Sequence, residues 1–277
     1  MTRFRLVTDF LFEEIQGGCE LNDKEVASAL TSMGHEVGRT KSAEYSFTES
    51  DDKIIVSNFV SLSERNKALL QENGEYIIYE HDHKYLKNRN PALYMGFVAP
   101  ANQIVNRKFY ENAKAVLCQS SFQKEILEKN LGIGNVENLS GNLWSIESLQ
   151  LMRELSSSDK NDCCSIMSTS NWHKNTKGSV QYCNEKKLPY QLIGNLPYDE
   201  FLRRMGSNKK VVFFPKTPET LSRIVVECRM MGMSAVINKL VGASYEEWFP
   251  LKGEALVDVM TEKRKEIPET IVRIFDE

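Results

Sequence analysis

The feature that most constrains this chain is a rhythm: short apolar runs alternate with longer amphipathic or polar stretches along its whole length. A strand-length apolar run followed by a segment of helical period is the mark of a βαβ unit, in which each crossover returns the chain to pair in parallel. In the first half, strands are expected at residues 4–8, 54–58, 76–79, 114–118 and 135–139. Residues 20–33 carry Leu21, Val26, Ala29 and Leu30 at helical spacing, and Gly34 closes them. A polar helix is expected near residues 63–73, and Ser120 with Gln123 makes a capping pattern ahead of a helix that stops at Gly132. The second half repeats the rhythm, with strands at 165–168, 190–193, 211–214 and 235–238. Helices are expected there at 178–187, 198–205, 221–231 (closed by Gly232) and 262–275. The fold class read from this pattern is α/β, with two doubly wound parallel-sheet domains.

A length of 277 residues fits two domains. Residues 1–145 are expected to form the first, joined by the C-terminal helix 262–277, and residues 146–261 the second. The polar stretch 147–162, with Ser156-Ser157-Ser158, reads as the linker, or else opens with a helix at 146–155. The net charge of −3 supplies no global basic field, so nucleic acid is not an expected partner. Six Cys occur without a CxxC pair, and the vicinal Cys163-Cys164 is a poor disulfide framework, so a reducing, cytoplasmic location is expected. No apolar run approaches the roughly 18 residues of a membrane span, which leaves at most peripheral membrane contact. Asp9, Glu13 and Glu14 interrupt the N-terminal apolar stretch, so no signal peptide is expected.

In doubly wound domains ligands bind beyond the carboxyl ends of the strands. Four such loops stand out. Gln16-Gly17-Gly18-Cys19-Glu20 precedes a helix, and its glycines are either a flexible loop or a place where backbone amides approach a phosphate. No GxGxxG pattern accompanies them, which weighs against a dinucleotide dehydrogenase. His81-Asp82-His83 follows a strand and reads as metal ligands, as a His that hydrogen-bonds a sugar or phosphate, or as a surface turn. No third ligand at a typical spacing accompanies the two histidines, so the single-His reading fits better. Residues 168–178 hold Lys174 and Lys177, point charges for a phosphate or merely solvated cations. The fourth loop puts Glu219 and Glu227 eight residues apart, with Ser222 and Arg223 at the start of a helix whose free amides favour a diphosphate. Glu227 is also spaced to pair with Arg223 one helical turn away.

Together these segments resemble glycosyltransferase family 4, the retaining sugar-nucleotide transferases of the GT-B fold. The resemblance rests on Leu6-Val7-Thr8-Asp9, on Gly17-Gly18-Cys19-Glu20 and on the stretch from Ala29 to Val37. It continues in Ala113 to Cys118 with Gln119-Ser120-Ser121-Phe122-Gln123. The E-x7-E spacing of Glu219 and Glu227, followed by Gly232 and an apolar strand, carries it furthest. The resemblance implies an active site between two Rossmann-like domains. Gly17 and Gly18 would bring amides to the donor phosphate, and His81 would sit near the reacting sugar. Lys177 would neutralise the diphosphate, Glu219 would hold the donor sugar hydroxyls, Ser222 and Arg223 would offer amides, and Glu227 would bind the ribose hydroxyls.

Two departures stand out. The family's Arg shortly before the phosphate Lys is missing, and Trp172-His173-Lys174 stands there instead, which makes Lys174 the substitute cation. Ser222 occupies a position where Gly is common. The expected activity is metal-independent, retaining transfer of a hexosyl group from a UDP or GDP sugar to a glycan, lipid or small-molecule acceptor. Neither cofactor nor metal is expected, since no Asp-x-Asp motif occurs. The alternatives are a nucleotide-sugar-binding module without turnover and a nucleotide-sugar epimerase.

Overall fold

The structure, a computed structural model, describes residues 1–15, 17–48 and 52–277, so Gln16 of the glycine loop lies outside the described residues. The chain divides into two compact units, Met1–Leu143 with Lys263–Glu277, and Trp144–Glu262.

The first unit is a six-stranded parallel sheet in the order β2-β1-β3-β4-β5-β6. Its elements are β1 (Arg3–Thr8), α1 (Gly18–Ser32), β2 (Glu36–Lys41), β3 (Lys53–Val56), α2 (Glu64–Asn73) and β4 (Tyr76–Tyr79). They continue with α3 (Arg107–Glu111), β5 (Val116–Cys118), α4 (Ser121–Leu131) and β6 (Val136–Asn138). Side chains alternate across the sheet. Phe4, Leu6, Ile55, Ile77, Tyr79 and Leu117 face one way, onto Val26 and Leu30 of α1 and Ile267, Ile271 and Ile274 near the C-terminus. Val7, Val56, Ile78 and Val116 face the other, onto Phe59, Phe109, Tyr110 and the Phe122–Ile126–Leu127 stripe of α4. β2 was not anticipated because Glu-Val-Gly-Arg-Thr-Lys is polar: it is an edge strand, half-buried, paired on one side to β1. Ser120 caps α4 by accepting from the Gln123 amide, and the Gln123 side chain in turn accepts from the Gln119 amide.

The second unit has α5 (Ile146–Ser156), β7 (Asn161–Met167), α6 (Thr176–Glu185), β8 (Tyr190–Ile193), α7 (Tyr198–Gly206), β9 (Asn208–Phe213), α8 (Arg223–Met230) and β10 (Ser234–Ile237). Its four parallel strands run β10-β9-β7-β8. Val211 and Phe213 pack on α5, α7 and α8, while Cys164, Ile166 and Val212 pack on Cys183 of α6. The stretch expected as a linker is largely α5, whose Leu149, Leu151 and Met152 are buried in this core. Its high Ser and Glu content is that of an exposed helix face, and of the two readings the helix at 146–155 is the one the structure shows. The last helix, α9 (Glu254–Asp276), starts eight residues before its expected onset, because Leu256, Val257 and Met260 are needed by the second unit's core. Among the described residues, no helix is long and apolar enough to cross a membrane.

In each sheet the strand order reverses at one point, between β1 and β3 and between β7 and β9. Such a switch point opens a crevice at the carboxyl ends of the strands.

Candidate functional site

The candidate residues fall into two sets, one at each switch point. In the first unit, α1 begins at Gly18 with Gly17 as its N-cap in extended conformation and without a side-chain cap. Glu20 turns back over Gly17 and is held by its own amide. The chain's own carboxylate therefore stands where Gly17 and Gly18 were expected to meet a phosphate. Burial raises the Glu20 carboxyl above its ordinary range.

His81 follows β4 and lies flat on Tyr79, with ring centroids 4.8 Å apart and planes 7° apart. Its Nε2 is 3.4 Å from Asp23 Oδ1. Its Nδ1 is 2.9 Å from the side-chain nitrogen of Gln119. Asp23 also accepts from Ser57 Oγ at 2.7 Å and from Cys19 Sγ at 3.6 Å. Burial, with Asp23 and Glu20 beside it, pushes the Cys19 thiol well above its ordinary range. Cys19, Asp23 and His81 each place a metal-capable atom within 4.8 Å of the others. The sequence could not reveal this set, because its other two groups, Cys19 and Asp23, come from α1, far along the chain from His81. His83 is not part of it. Its backbone has φ +27°, and its buried ring bonds the Tyr85 hydroxyl at 2.9 Å inside the core. Asp82 points elsewhere as well, to Arg89 at 2.9 Å.

In the second unit the loops after β7 and β9 are tied together. The Lys216 amide donates to the His173 carbonyl at 2.8 Å, and Asn175 Nδ2 to the Phe214 carbonyl at 2.8 Å. Lys174 Nζ meets both oxygens of Glu219, at 2.9 and 2.8 Å. Glu219 is itself fixed by its backbone, donating to the Leu240 carbonyl at 2.7 Å and accepting from the Gly242 amide at 3.0 Å. Lys177 lies inside the first turn of α6, not ahead of the helix as expected, because Asn175 caps the helix by accepting from the Gly178 amide. Lys177 is exposed and makes no ion pair among the described residues.

Ser222 is the N-cap residue of α8, with φ +78° and ψ +78°. This left-handed conformation is one that glycine adopts more readily than serine. The Ser222 hydroxyl is buried and has no hydrogen-bond partner among the described residues. Arg223 stacks its guanidinium 4.4 Å from the Trp144 ring centre and approaches Glu227 at 3.5 Å. Glu227 is buried, and its Oε1 also accepts from Trp144 Nε1 at 2.9 Å and from the Tyr198 hydroxyl at 2.6 Å. Burial and the Glu227 carboxylate push the Tyr198 phenol well above its ordinary range. The helical pairing with Arg223 is thus real, but it is one of several contacts. Trp144 and Tyr198 went unseen in the sequence because neither belongs to a motif; they reach Glu227 only through the packing of α5, α7 and α8.

No family model matches this chain, and no curated protein matches it. Solved structures do. The Anabaena protein HepE, in complex with UDP and glucose, aligns with a TM-score of 0.51 at 13% identity, covering 99% of this chain and 97% of that one. An α-glucosyltransferase in complex with UDP and a 13-mer DNA aligns with a TM-score of 0.50 at 12% identity, covering 97% and 94%. At such identities the likeness is one of fold. The chain has the GT-B fold, built from two Rossmann-like parallel-sheet units.

Proposed function

We propose that this chain is a cytoplasmic glycosyltransferase of the family 4 type, which transfers a hexosyl group with retention from a UDP sugar and uses no metal. The observation that carries this reading is the placement of Glu219 and Glu227 on either side of the α8 N-terminus, at the β7/β9 switch point. Two rigidly held carboxylates suit the paired hydroxyls of a sugar and a ribose, while a helix N-terminus between them suits the diphosphate that joins the two. Both similar structures contain UDP, which supports uracil as the donor base. In the reaction, the bond between the sugar's anomeric carbon and the diphosphate oxygen breaks, an acceptor hydroxyl oxygen bonds to that carbon on the same face, and the hydroxyl proton passes to the departing diphosphate. Lys177, Arg223 and the α6 and α8 amides stabilise the charge that grows on the diphosphate. Lys174 joins them if the donor draws it from Glu219. Glu219 holds sugar hydroxyls, Glu227 holds the ribose, and His81 acts on the sugar. A net charge of −3 favours a glycan, lipid or small molecule over nucleic acid as acceptor. Incubation with radiolabelled UDP-glucose, with and without an acceptor pool, tests the reading. Label transfer supports it, an epimerised sugar nucleotide replaces it with the epimerase, and binding without any product leaves a binding module.

Two predictions arise from this site. Glu227→Ala weakens UDP binding by about 1.5–3 kcal/mol, roughly ten- to hundred-fold, because the ribose loses a charged acceptor. Glu227→Gln, which retains an oxygen for Trp144 and Tyr198, serves as the folded control in calorimetry. Unchanged UDP affinity in both variants reduces Glu227 to a structural partner of Arg223.

The second concerns the two lysines. Lys177→Ala weakens UDP binding roughly tenfold, and Lys174→Ala less, because Lys174 is already neutralised by Glu219. Uridine, which lacks the phosphates, binds all three proteins alike. A larger loss from Lys174→Ala moves the phosphate site toward Glu219.

A further inference from the structure

We propose that Gln119 is a positioning residue that fixes His81 as the Nε2–H tautomer, which makes the ring a neutral hydrogen-bond donor and not a base. This rests on the reading of His81 as a group that acts on the sugar.

The inference follows from backbone groups whose roles are not adjustable. The Gln119 backbone N–H lies 2.7 Å from Gln123 Oε1. A backbone N–H only donates, so Gln123 must present its oxygen there. Its nitrogen then meets the Glu80 carbonyl, at 2.9 Å. That same carbonyl only accepts, and it lies 2.8 Å from the side-chain nitrogen of Gln119. The orientation of the Gln119 amide is therefore dictated by chemistry, not by a choice between two similar atoms. Both glutamines are buried, at 2% and 0% exposure, which excludes a casual exchange of partners with water.

The Gln119 nitrogen that serves Glu80 also lies 2.9 Å from His81 Nδ1. A donor amide requires Nδ1 to accept, so the single proton of the neutral ring sits on Nε2. Nε2 is the nitrogen that faces Asp23 Oδ1. The stack on Tyr79 holds the ring plane, and the Tyr79 hydroxyl is held in turn by Asn142 Oδ1 at 3.4 Å. The nitrogen facing the first unit's polar cluster is thus a preset donor. It is aimed at the Asp23 carboxylate, and it cannot ligate a metal ion beside Cys19 and Asp23 without giving up the Gln119 contact.

The test is long-range proton–nitrogen correlation on the full chain labelled at histidine, at about pH 7.5. Four histidines keep the spectrum assignable, with His81→Ala identifying the signal. The expected result is an unprotonated Nδ1 and a protonated Nε2 on His81. A proton on Nδ1 in the native chain overturns the proposal, whatever the catalytic activity. Gln119→Glu presents a carboxylate oxygen to Nδ1 and is expected to place a proton there. It is also expected to lower kcat for UDP release from UDP-glucose roughly ten- to hundred-fold at unchanged UDP affinity. An unaltered tautomer in a folded Gln119→Glu protein overturns the proposal too. If the tautomer is as stated while His81→Ala leaves turnover intact, the role given to His81 fails and the tautomer assignment stands.

Discussion

Replacing Lys84 by Met lowers the thermal midpoint of the first unit by roughly 6–20 °C, the equivalent of about 3–5 kcal/mol. Lys84 Nζ and Glu80 Oε1 lie 2.9 Å apart with side chains 2% and 0% exposed. Glu80 also accepts from the Asp82 amide at 2.7 Å and from the Tyr110 hydroxyl. Burial alone would raise the Glu80 carboxyl, yet the Lys84 charge and these hydrogen bonds outweigh it, so Glu80 titrates below the ordinary carboxylate range. Burial would likewise depress Lys84, but Glu80 and Asp82 hold it above the ordinary ammonium range. The sign of the pH dependence follows. The pair contributes fully between the two ordinary values, about 4 and about 10. Its contribution is lost as pH falls through the lowered Glu80 value or rises through the raised Lys84 value.

Lys84→Met leaves a buried carboxylate with no counter-charge, which shifts that carboxyl upward. The deficit against the native chain is therefore largest near pH 7 and shrinks toward about pH 5, where the orphaned carboxyl takes up a proton. Calorimetric melts at the two pH values check this. Glu80→Leu combined with Lys84→Met is expected to recover part of the loss, since a buried apolar pair carries no desolvation cost. A midpoint shift under about 2 °C for Lys84→Met would mean that the ammonium reaches water.

His81→Ala is expected to cut turnover of UDP-glucose roughly 10²–10³-fold while UDP affinity stays within about threefold, the pattern of a lost donor aimed at developing charge. His83→Asn is expected to do the opposite. Asn tolerates the φ of +27°, so the backbone survives, but the bond to Tyr85 is lost. That costs about 1–2 kcal/mol of stability and leaves kcat unchanged. Steady-state UDP release and urea denaturation on both variants separate the two effects. Equal losses of kcat would mean that the loop acts as one structural piece and that His81 has no privileged place. The contrast exists because Tyr79 and Gln119 hold one ring at the sheet's carboxyl edge, whereas Tyr85 draws the other into the core.

The sequence by itself determined the α/β class, since a strand such as residues 76–79 or 190–193 is fixed by a short apolar run and its neighbouring helix by a 3.6-residue period. Local chemistry also set several ends: Ser63 and Ser120 as N-caps and Gly132 and Gly232 at positive φ are choices a few neighbouring residues make together. The spacing of Glu219 and Glu227 was legible for the same reason. Only the tertiary structure decided the rest. Polar β2 is a strand because β1 offers it a partner, and α9 begins early because Leu256, Val257 and Met260 have a core to bury. Trp144 and Tyr198 against Glu227, Lys174 against Glu219, and Cys19 and Asp23 against His81 join residues remote in sequence. Their meeting depends on strand order and helix packing, and no local pattern in the chain encodes those distances.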